Sequence, residues 1–369
     1  MDKKITYILV VGARPNFMKA APLCKEFEDN NVDYIIYHSG QHYDFELSRI
    51  FEEEFSLNPK RIHHQVREED NAIKNIQETI LAFKNFLALP KFAKRKDSLR
   101  VIVFGDVNTS CACALAAKQA GITLIHMEAG LRSFDITMPE ELNRITIDNL
   151  SDYLFTTSFG ADENLMTEGI YENVSMCGNL MIDTLKKFQE LTKFQKISDA
   201  ININGEKKKL IVVTLHRPSN VDNHSRLCEI IEQLQTLSRS YNVVIPMHPR
   251  LRKQIREFAL IDRFKDLHIA DPLGYLNFLT LLQNASVVIT DSGGIQEETT
   301  YLKIPCLTVR KSTERPITIE LGTNQLVEPK DICTAIINLN KRKPPLIPPL
   351  WDGMAAKRIF GKLKEFSKK

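Results

Sequence analysis

The 369 residues contain no apolar run approaching the length of a membrane span, and the net charge of +3 is too mild to argue for a nucleic acid or a membrane surface as partner. Three catalytic fingerprints are also missing. No G-x-G-x-x-G follows a strand-like run and no G-x-x-x-x-G-K-[ST] loop occurs, so hydride transfer and P-loop phosphoryl transfer lose support. No G-x-S-x-G nucleophile elbow is present either. The seven cysteines lack paired, even spacing, and Cys111 and Cys113 fall in an Ala-rich helical stretch, so reduced, buried thiols are expected. There is no repeat of solenoid period and no low-complexity tract.

What is present is the composition of a soluble globular chain, 43% hydrophobic and 26% charged, at a length that favours two domains. Lys3-Lys4 followed by Ile5–Val11 imitates a short signal peptide, but Arg14 and Lys19 stand where a cleavage site would fall. The segment reads as a first strand, and the protein as cytoplasmic. Strand-like runs alternate with helical patterns, which indicates parallel sheets with covering helices. The first series is Ile5–Val11, Tyr34–Tyr37, Arg100–Phe104, Ile122–Met127 and Tyr153–Thr157; the second is Leu210–Leu215, Val243–Pro246, Ser286–Thr290 and Cys306–Val309. A polar, Lys-rich stretch around Thr184–Lys208 separates them and marks the hinge. The expected architecture is α/β, two doubly wound Rossmann-like domains facing across a cleft. Segments rich in special residues all fall at predicted strand ends, where such sheets place their ligands.

One of these segments, HMEAGLRSFDITMPEELNR over residues 126–144, packs one His, two Arg and four carboxylates into nineteen positions. Either its charges neutralise one another as a surface network, or they do acid/base work in a cleft. VVITDSGGIQEE, residues 287–298, is the strongest anion signal, because glycines at a helix start let backbone N–H groups approach a ligand. Glu297 and Glu298 fall in its first helical turn, either favouring the helix dipole or accepting bonds from a ribose. VGARPNFMK sets Arg14 and Lys19 at the first strand–helix turn, as a phosphate clamp or as surface charge beside a helix start with Pro15 at its first position. In TLHRPSN, His216 and Arg217 suit a diphosphate, and in TERP, Glu314 and Arg315 suit an internal ion pair. Asp106 in FGDVNT either caps the next helix or supplies a catalytic carboxylate. HSGQHYD has two histidines four apart, but its glycine argues against a helical metal site, and His63-His64 reads as a solvated polar loop.

As an ordered set, GARPNFMKAAPL, SGQH, FGDVNT, HMEAGLR, MPEELNR, LHRPSN, DSGGIQEE and TERP resemble the non-hydrolysing UDP-N-acetylglucosamine 2-epimerases, enzymes of the GT-B type fold. The resemblance spans nearly the whole chain. It implies an N-terminal Rossmann-like domain over residues 1–183, a UDP-binding domain over 184–350, and a closing helix over 351–369 that packs back on the first domain. It also implies a reaction: UDP is eliminated across C1–C2 of the sugar, giving a glycal, and is then added back with the C2 proton on the other face. Carried over residue by residue, the catalytic carboxylates are Asp106, Glu128 and Glu140, and His216 is the catalytic histidine. Arg14, Ser292, Gly293, Gly294 and Glu298 match nucleotide-binding positions, with Lys19 beside Arg14 at the phosphates. Some members are activated by a second substrate molecule near the GQH loop, which points to Gln41 and His42. The family implies a homodimer with a UDP-sugar substrate, and calls for no cofactor and no metal. Asn16 and Ile317 depart from the family's pattern, where Glu is usual at both, and bear on the identity of the sugar. The alternatives are a hydrolysing epimerase that releases N-acetylmannosamine and UDP, a regulator that binds a nucleotide sugar without turnover, and a glycosyltransferase.

Overall fold

The computed structural model describes residues 5–40, 53–64, 72–193, 195, 208–339 and 344–366. Its backbone divides into two units, one of Met1–Thr184 with Pro349–Lys369 and one of Leu185–Pro348. In the first, seven parallel strands run in the order β3-β2-β1-β4-β5-β6-β7: β1 (Thr6–Val11), β2 (Asp33–His38), β3 (Ile62–His64), β4 (Leu99–Phe104), β5 (Thr123–Ala129), β6 (Tyr153–Thr156) and β7 (Val174–Met176). The covering helices are α1 (Arg14–Asp29), α2 (Ala72–Leu87), α3 (Asn108–Gln119), α4 (Pro139–Leu150) and α5 (Phe159–Thr167), and α6 (Leu180–Thr192) begins in this unit and runs on past Thr184 into the second. The central strands are continuous apolar runs because helices cover both faces. Ile8, Val10, Val101, Val103 and Leu124 form one core layer with Phe83 and Phe86 of α2 and the small side chains Cys113, Ala114 and Ala117 of α3.

The C-terminal helix Ala355–Phe366 belongs to this unit. Its apolar stripe of Ala355, Ala356, Ile359, Phe360 and Leu363 is buried, and Phe360 meets Phe27 of α1 edge-on at 6.0 Å. Asp183 caps it, accepting the N–H groups of Ala355 at 3.0 Å and Ala356 at 2.7 Å. Trp351, just before the helix, donates its indole N–H to Thr157 O at 2.9 Å.

The second unit repeats the plan with six parallel strands in the order β10-β9-β8-β11-β12-β13. They are β8 (Lys209–Thr214), β9 (Tyr241–Pro246), β10 (His268–Ala270), β11 (Ala285–Thr290), β12 (Cys306–Thr308) and β13 (Asn324–Leu326). Its longer helices are α7 (His224–Ser238), α8 (Pro249–Glu257), α9 (Tyr275–Gln283) and α10 (Gly293–Leu302). Ile211, Val213, Val243 and Ile245 pack against Leu227, Ile230, Ile231 and Leu234 of α7.

Several expectations need correction. Four three-residue strands, β3, β7, β10 and β13, were not expected. His63-His64 is not a solvated loop: it lies in β3, with His63 stacked on Tyr37 at 5.7 Å and His64 Nδ1 3.2 Å from His38 Nδ1. Of the polar stretch given to the hinge, residues 184–192 continue α6, and residues 194 and 196–207 lie outside the described residues. All seven cysteines are free, five of them buried, with Cys228 and Cys333 half-buried.

Candidate active site

In an open parallel sheet the ligand crevice lies at the carboxyl ends of the strands, where the strand order reverses. In the first unit that point falls between β1 and β4. Arg14 opens α1, half-buried, with Pro15 at the second helical position rather than the first. Asn16 is buried and fully used by the backbone. Its Oδ1 accepts from Gly12 N at 3.1 Å and Ala13 N at 3.0 Å, and its Nδ2 donates to Phe104 O at 3.1 Å, tying the first loop to the end of β4. Lys19, one turn on, is buried and pairs its ammonium with Glu128.

Glu128 sits where β5 and β6 slip register between Met127 and Ala129, and it has φ of +70°. A bulge of this kind re-aims a side chain, and a non-glycine residue at positive φ costs of order 1 kcal/mol or more. Asp106 follows Gly105, which has φ of +59°; a Cβ on Gly105 would stand 3.2 Å from Lys19 Nζ and 3.8 Å from Glu128 Oε1. Asp106 does not cap α3, whose N-cap residue is Val107. Its carboxylate pairs with Arg144, and its carbonyl accepts Asn143 Nδ2 at 2.8 Å. Lys19, Asp106 and Glu128 thus gather around one glycine turn.

The charge-dense run is largely a buried network rather than a surface one. Glu141 accepts from Ser133 N at 3.0 Å and Phe134 N at 2.8 Å and pairs with Arg144 at 2.5 Å. His126, wholly buried, lies 2.6 Å from Asp148 through Nδ1. Arg132 bridges Asp148 at 2.7 Å and Glu168 at 2.6 Å. Burial alone would raise the Asp148 carboxyl; His126 and Arg132 outweigh it and hold the group below the usual carboxylate range. Glu140 stands at the second position of α4, half-buried. Gln41 and His42 lie outside the described residues.

In the second unit the order reverses between β8 and β11. Asp291, at the end of β11 and fully buried, accepts the backbone N–H of His216 at 3.1 Å and Arg217 at 3.0 Å, and Asn220 Nδ2 at 3.1 Å. It also pairs with His216 Nδ1 at 2.9 Å. Burial pushes the Asp291 carboxyl up, but these bonds prevail and its affinity for protons is lowered. The contact occupies Nδ1 and leaves Nε2 of the partly exposed His216 as the nitrogen able to exchange a proton with a ligand.

Directly after Asp291, α10 begins at Gly293 with Ser292 as N-cap and no side chain closing its first turn. Its leading N–H groups, with the positive end of the helix dipole, suit an anion. A Cβ on Gly293 would lie 2.4 Å from Arg315 Nη1 and 2.8 Å from Glu314 Oε1. Arg315 pairs with Glu314 and, at 2.8 Å, with Glu297; Glu314 also holds Arg310 at 2.7 Å. The internal pair expected in TERP is present, within a larger cluster. Because α10 starts at Gly293, Glu297 and Glu298 fall in its second turn, not its first, and both are buried. Glu298 accepts the Tyr275 hydroxyl at 2.7 Å. Gly294 is half-buried beside Gly293, and Ile317 opens a short helix after the cluster. Asp291, Arg144 and Arg310 drew no assignment from sequence. The position of Asp291 at a strand end before Ser-Gly-Gly was the available signal for the first of these.

The sequence model of the family described as UDP-N-acetylglucosamine 2-epimerase matches residues 25–364. The UDP-N-acetylglucosamine 2-epimerase of Methanocaldococcus jannaschii is 38% identical over 349 residues, covering 91% of this chain and 92% of that protein. The UDP-2,3-diacetamido-2,3-dideoxy-D-glucuronate 2-epimerase of Pseudomonas aeruginosa is 35% identical, covering 87% of each. Among solved structures, the M. jannaschii enzyme in complex with UDP-GlcNAc and UDP aligns over 98% of this chain and 100% of that one, with a TM-score of 0.89 at 34% identity.

Proposed function

The chain belongs to the UDP-N-acetylglucosamine 2-epimerase family, and from that premise we propose that it interconverts UDP-N-acetylglucosamine and its manno epimer by elimination and re-addition of UDP. The observation that carries this reading is the pairing of Glu128 with Lys19 and of Asp106 with Arg144 around the Gly105 turn. In the forward half, a base takes the C2 proton while the C1–O bond to UDP breaks, leaving a C1–C2 double bond. In the return half, a proton is delivered to the opposite face of C2 and a diphosphate oxygen re-forms the bond to C1. Two carboxylates on neighbouring strand ends can supply the base and the acid, with Glu140 on α4 as the third carboxylate of the set. Lys19, expected at the phosphates, is engaged with Glu128; an ammonium can pass a proton, whereas the guanidinium beside Asp106 only holds charge.

The leaving diphosphate needs stabilisation where its charge develops. We assign that task to the N-terminus of α10 at Ser292, Gly293 and Gly294, with His216; Arg14 and Glu298 match the family's nucleotide-binding positions, and we assign them to the nucleotide. We further propose a cytoplasmic homodimer that supplies amino sugars for cell-surface polysaccharide. Among the described residues no helix is long and apolar enough to cross a membrane. Light scattering on the purified chain tests the dimer.

Proton NMR of the protein with UDP-N-acetylglucosamine in D₂O tests the reaction. Deuterium entering C2 as a UDP-N-acetylmannosamine signal grows is the expected result; free N-acetylmannosamine rising in step with UDP would instead establish a hydrolysing enzyme. A second sugar has a specific observation behind it, the 35% identity with the diacetamido-glucuronate epimerase. Offering both UDP-sugars to the same preparation decides between them.

A further inference from the structure

His126 is wholly buried and makes a contact through each ring nitrogen. Nδ1 lies 2.6 Å from Asp148 Oδ1, and Nε2 lies 3.0 Å from the carbonyl oxygen of Gly105. A carbonyl oxygen only accepts, so Nε2 carries a hydrogen. The second oxygen of Asp148 takes the Gly130 N–H at 3.1 Å and faces Arg132 at 2.7 Å, the surroundings of an ionised carboxylate. Nδ1 faces that carboxylate, so the ring is held between a carboxylate on one side and a carbonyl on the other.

The Gly105 peptide is gripped from both sides. Its N–H donates to Met127 O at 3.0 Å while its carbonyl receives His126 Nε2. The next residue after Gly105 is Asp106, and the next after Met127 is Glu128, so the consecutive residues His126 and Met127 join the two segments that carry the carboxylates. Both segments are bent where they join, with φ of +59° at Gly105 and +70° at Glu128. Glycine takes that region freely, but Glu128 keeps it only when its surroundings over-determine it.

We infer that the buried His126–Asp148 pair is a positioning device for the proton-transfer chemistry, acting through the Gly105 carbonyl to set the place of Asp106 against Glu128. The inference rests on the reading that these two carboxylates exchange the C2 proton. His126 is a positioning residue, and Asp148, itself held by Arg132, fixes the ring from its other side.

The test uses two variants of the full chain. The amide nitrogen of Gln stands near the place of His Nε2, so His126→Gln keeps the donation to Gly105. That of Asn stands near Nδ1, so His126→Asn keeps Asp148 and loses Gly105. Expected is a kcat within about threefold of wild type for His126→Gln and about 10- to 100-fold lower for His126→Asn, since a misplacement of about 1 Å costs that much. KM for UDP-N-acetylglucosamine and affinity for UDP stay within about twofold in both. Equal losses in the two variants, or none in either, would overturn the role. If His126→Asn does not fold, Asp148→Asn replaces it, with a fall in kcat at unchanged KM expected and unchanged kcat overturning it. A readout that needs no turnover is ¹⁵N NMR of histidine-labelled protein, where His126 Nε2 should carry a hydrogen; an Nε2 without one refutes the donation to Gly105 and with it the role. The wild-type rate reports on the functional reading and the Gln/Asn split on the positioning role, so failure of one is told from failure of the other.

Discussion

Strand β4 of the first unit and strand β11 of the second occupy the same place in their sheets, beside the strand that opens each unit, and an aspartate follows each within two residues. The two aspartates are used differently. Asp291 is fully buried, and its oxygens are taken by the backbone and side chains of the His216–Asn220 loop. Asp106 keeps 24% of its side chain exposed and meets one guanidinium. The helices that follow differ too. Neither has a side chain capping its first turn, but α10 opens on Gly293-Gly294 and α3 on Asn108-Thr109. Topology fixes where a strand-end carboxylate stands; its neighbours decide whether it anchors a loop or stays partly exposed beside a guanidinium.

The largest expected effect removes the first unit's chemistry and spares the second's. Asp106→Asn or Glu128→Gln should lower turnover by about 10²–10⁴-fold, the usual worth of a positioned acid or base, with UDP affinity retained. Calorimetry with UDP beside the rate assay checks this, and lost UDP affinity with normal epimerisation in the bound fraction would break the contrast.

Next come the buried carboxylates that titrate in opposite directions. Burial pushes Asp183 up to about 6, against the two backbone N–H bonds from Ala355 and Ala356 that pull it down. Its folded form prefers the proton, so its contribution to stability is full below the ordinary carboxylate range and is lost as pH rises through about 6. A shift of about two pH units is worth up to about 3 kcal/mol. Asp183→Asn should flatten that fall in melts between pH 4 and 7. Asp291 is lowered, so its contribution is full above the ordinary carboxylate range and is lost as pH falls through its folded value. Asp291→Asn should cost about 1–3 kcal/mol near pH 7, with the difference from wild type shrinking below about pH 4 in the same melts.

The smallest effect sharpens the second unit's role. A methyl at Gly293 would crowd Arg315 and Glu314, which are held by their own pairs. Gly293→Ala should weaken UDP binding by about tenfold, or about 1.4 kcal/mol, while the exchange rate at C2 within the bound complex stays near wild type. A lowered exchange rate in that complex would show that the helix terminus also serves the chemistry.

The long strands were legible because each is a largely apolar run, and special residues were seen at their ends, but where the strand order reverses came only from the pairing. The four missed strands are three residues long, two of them rich in polar side chains, and they exist only through a neighbouring strand's hydrogen bonds. His63 and His64 misled for that reason: their partners, Tyr37 and His38, are on another strand.

Sequence by itself determined the alternating α/β order and the glycine-led start of α10, because apolar period and glycine placement are local; the candidate acids came from the family resemblance. Tertiary structure alone decided that Lys19 meets Glu128, that Asp106 meets Arg144 and not the start of α3, and that His126 and Asp148, 22 residues apart, enclose a buried charge. Those pairings form between segments distant in the chain, and the partner a buried charge finds depends on which strands lie side by side.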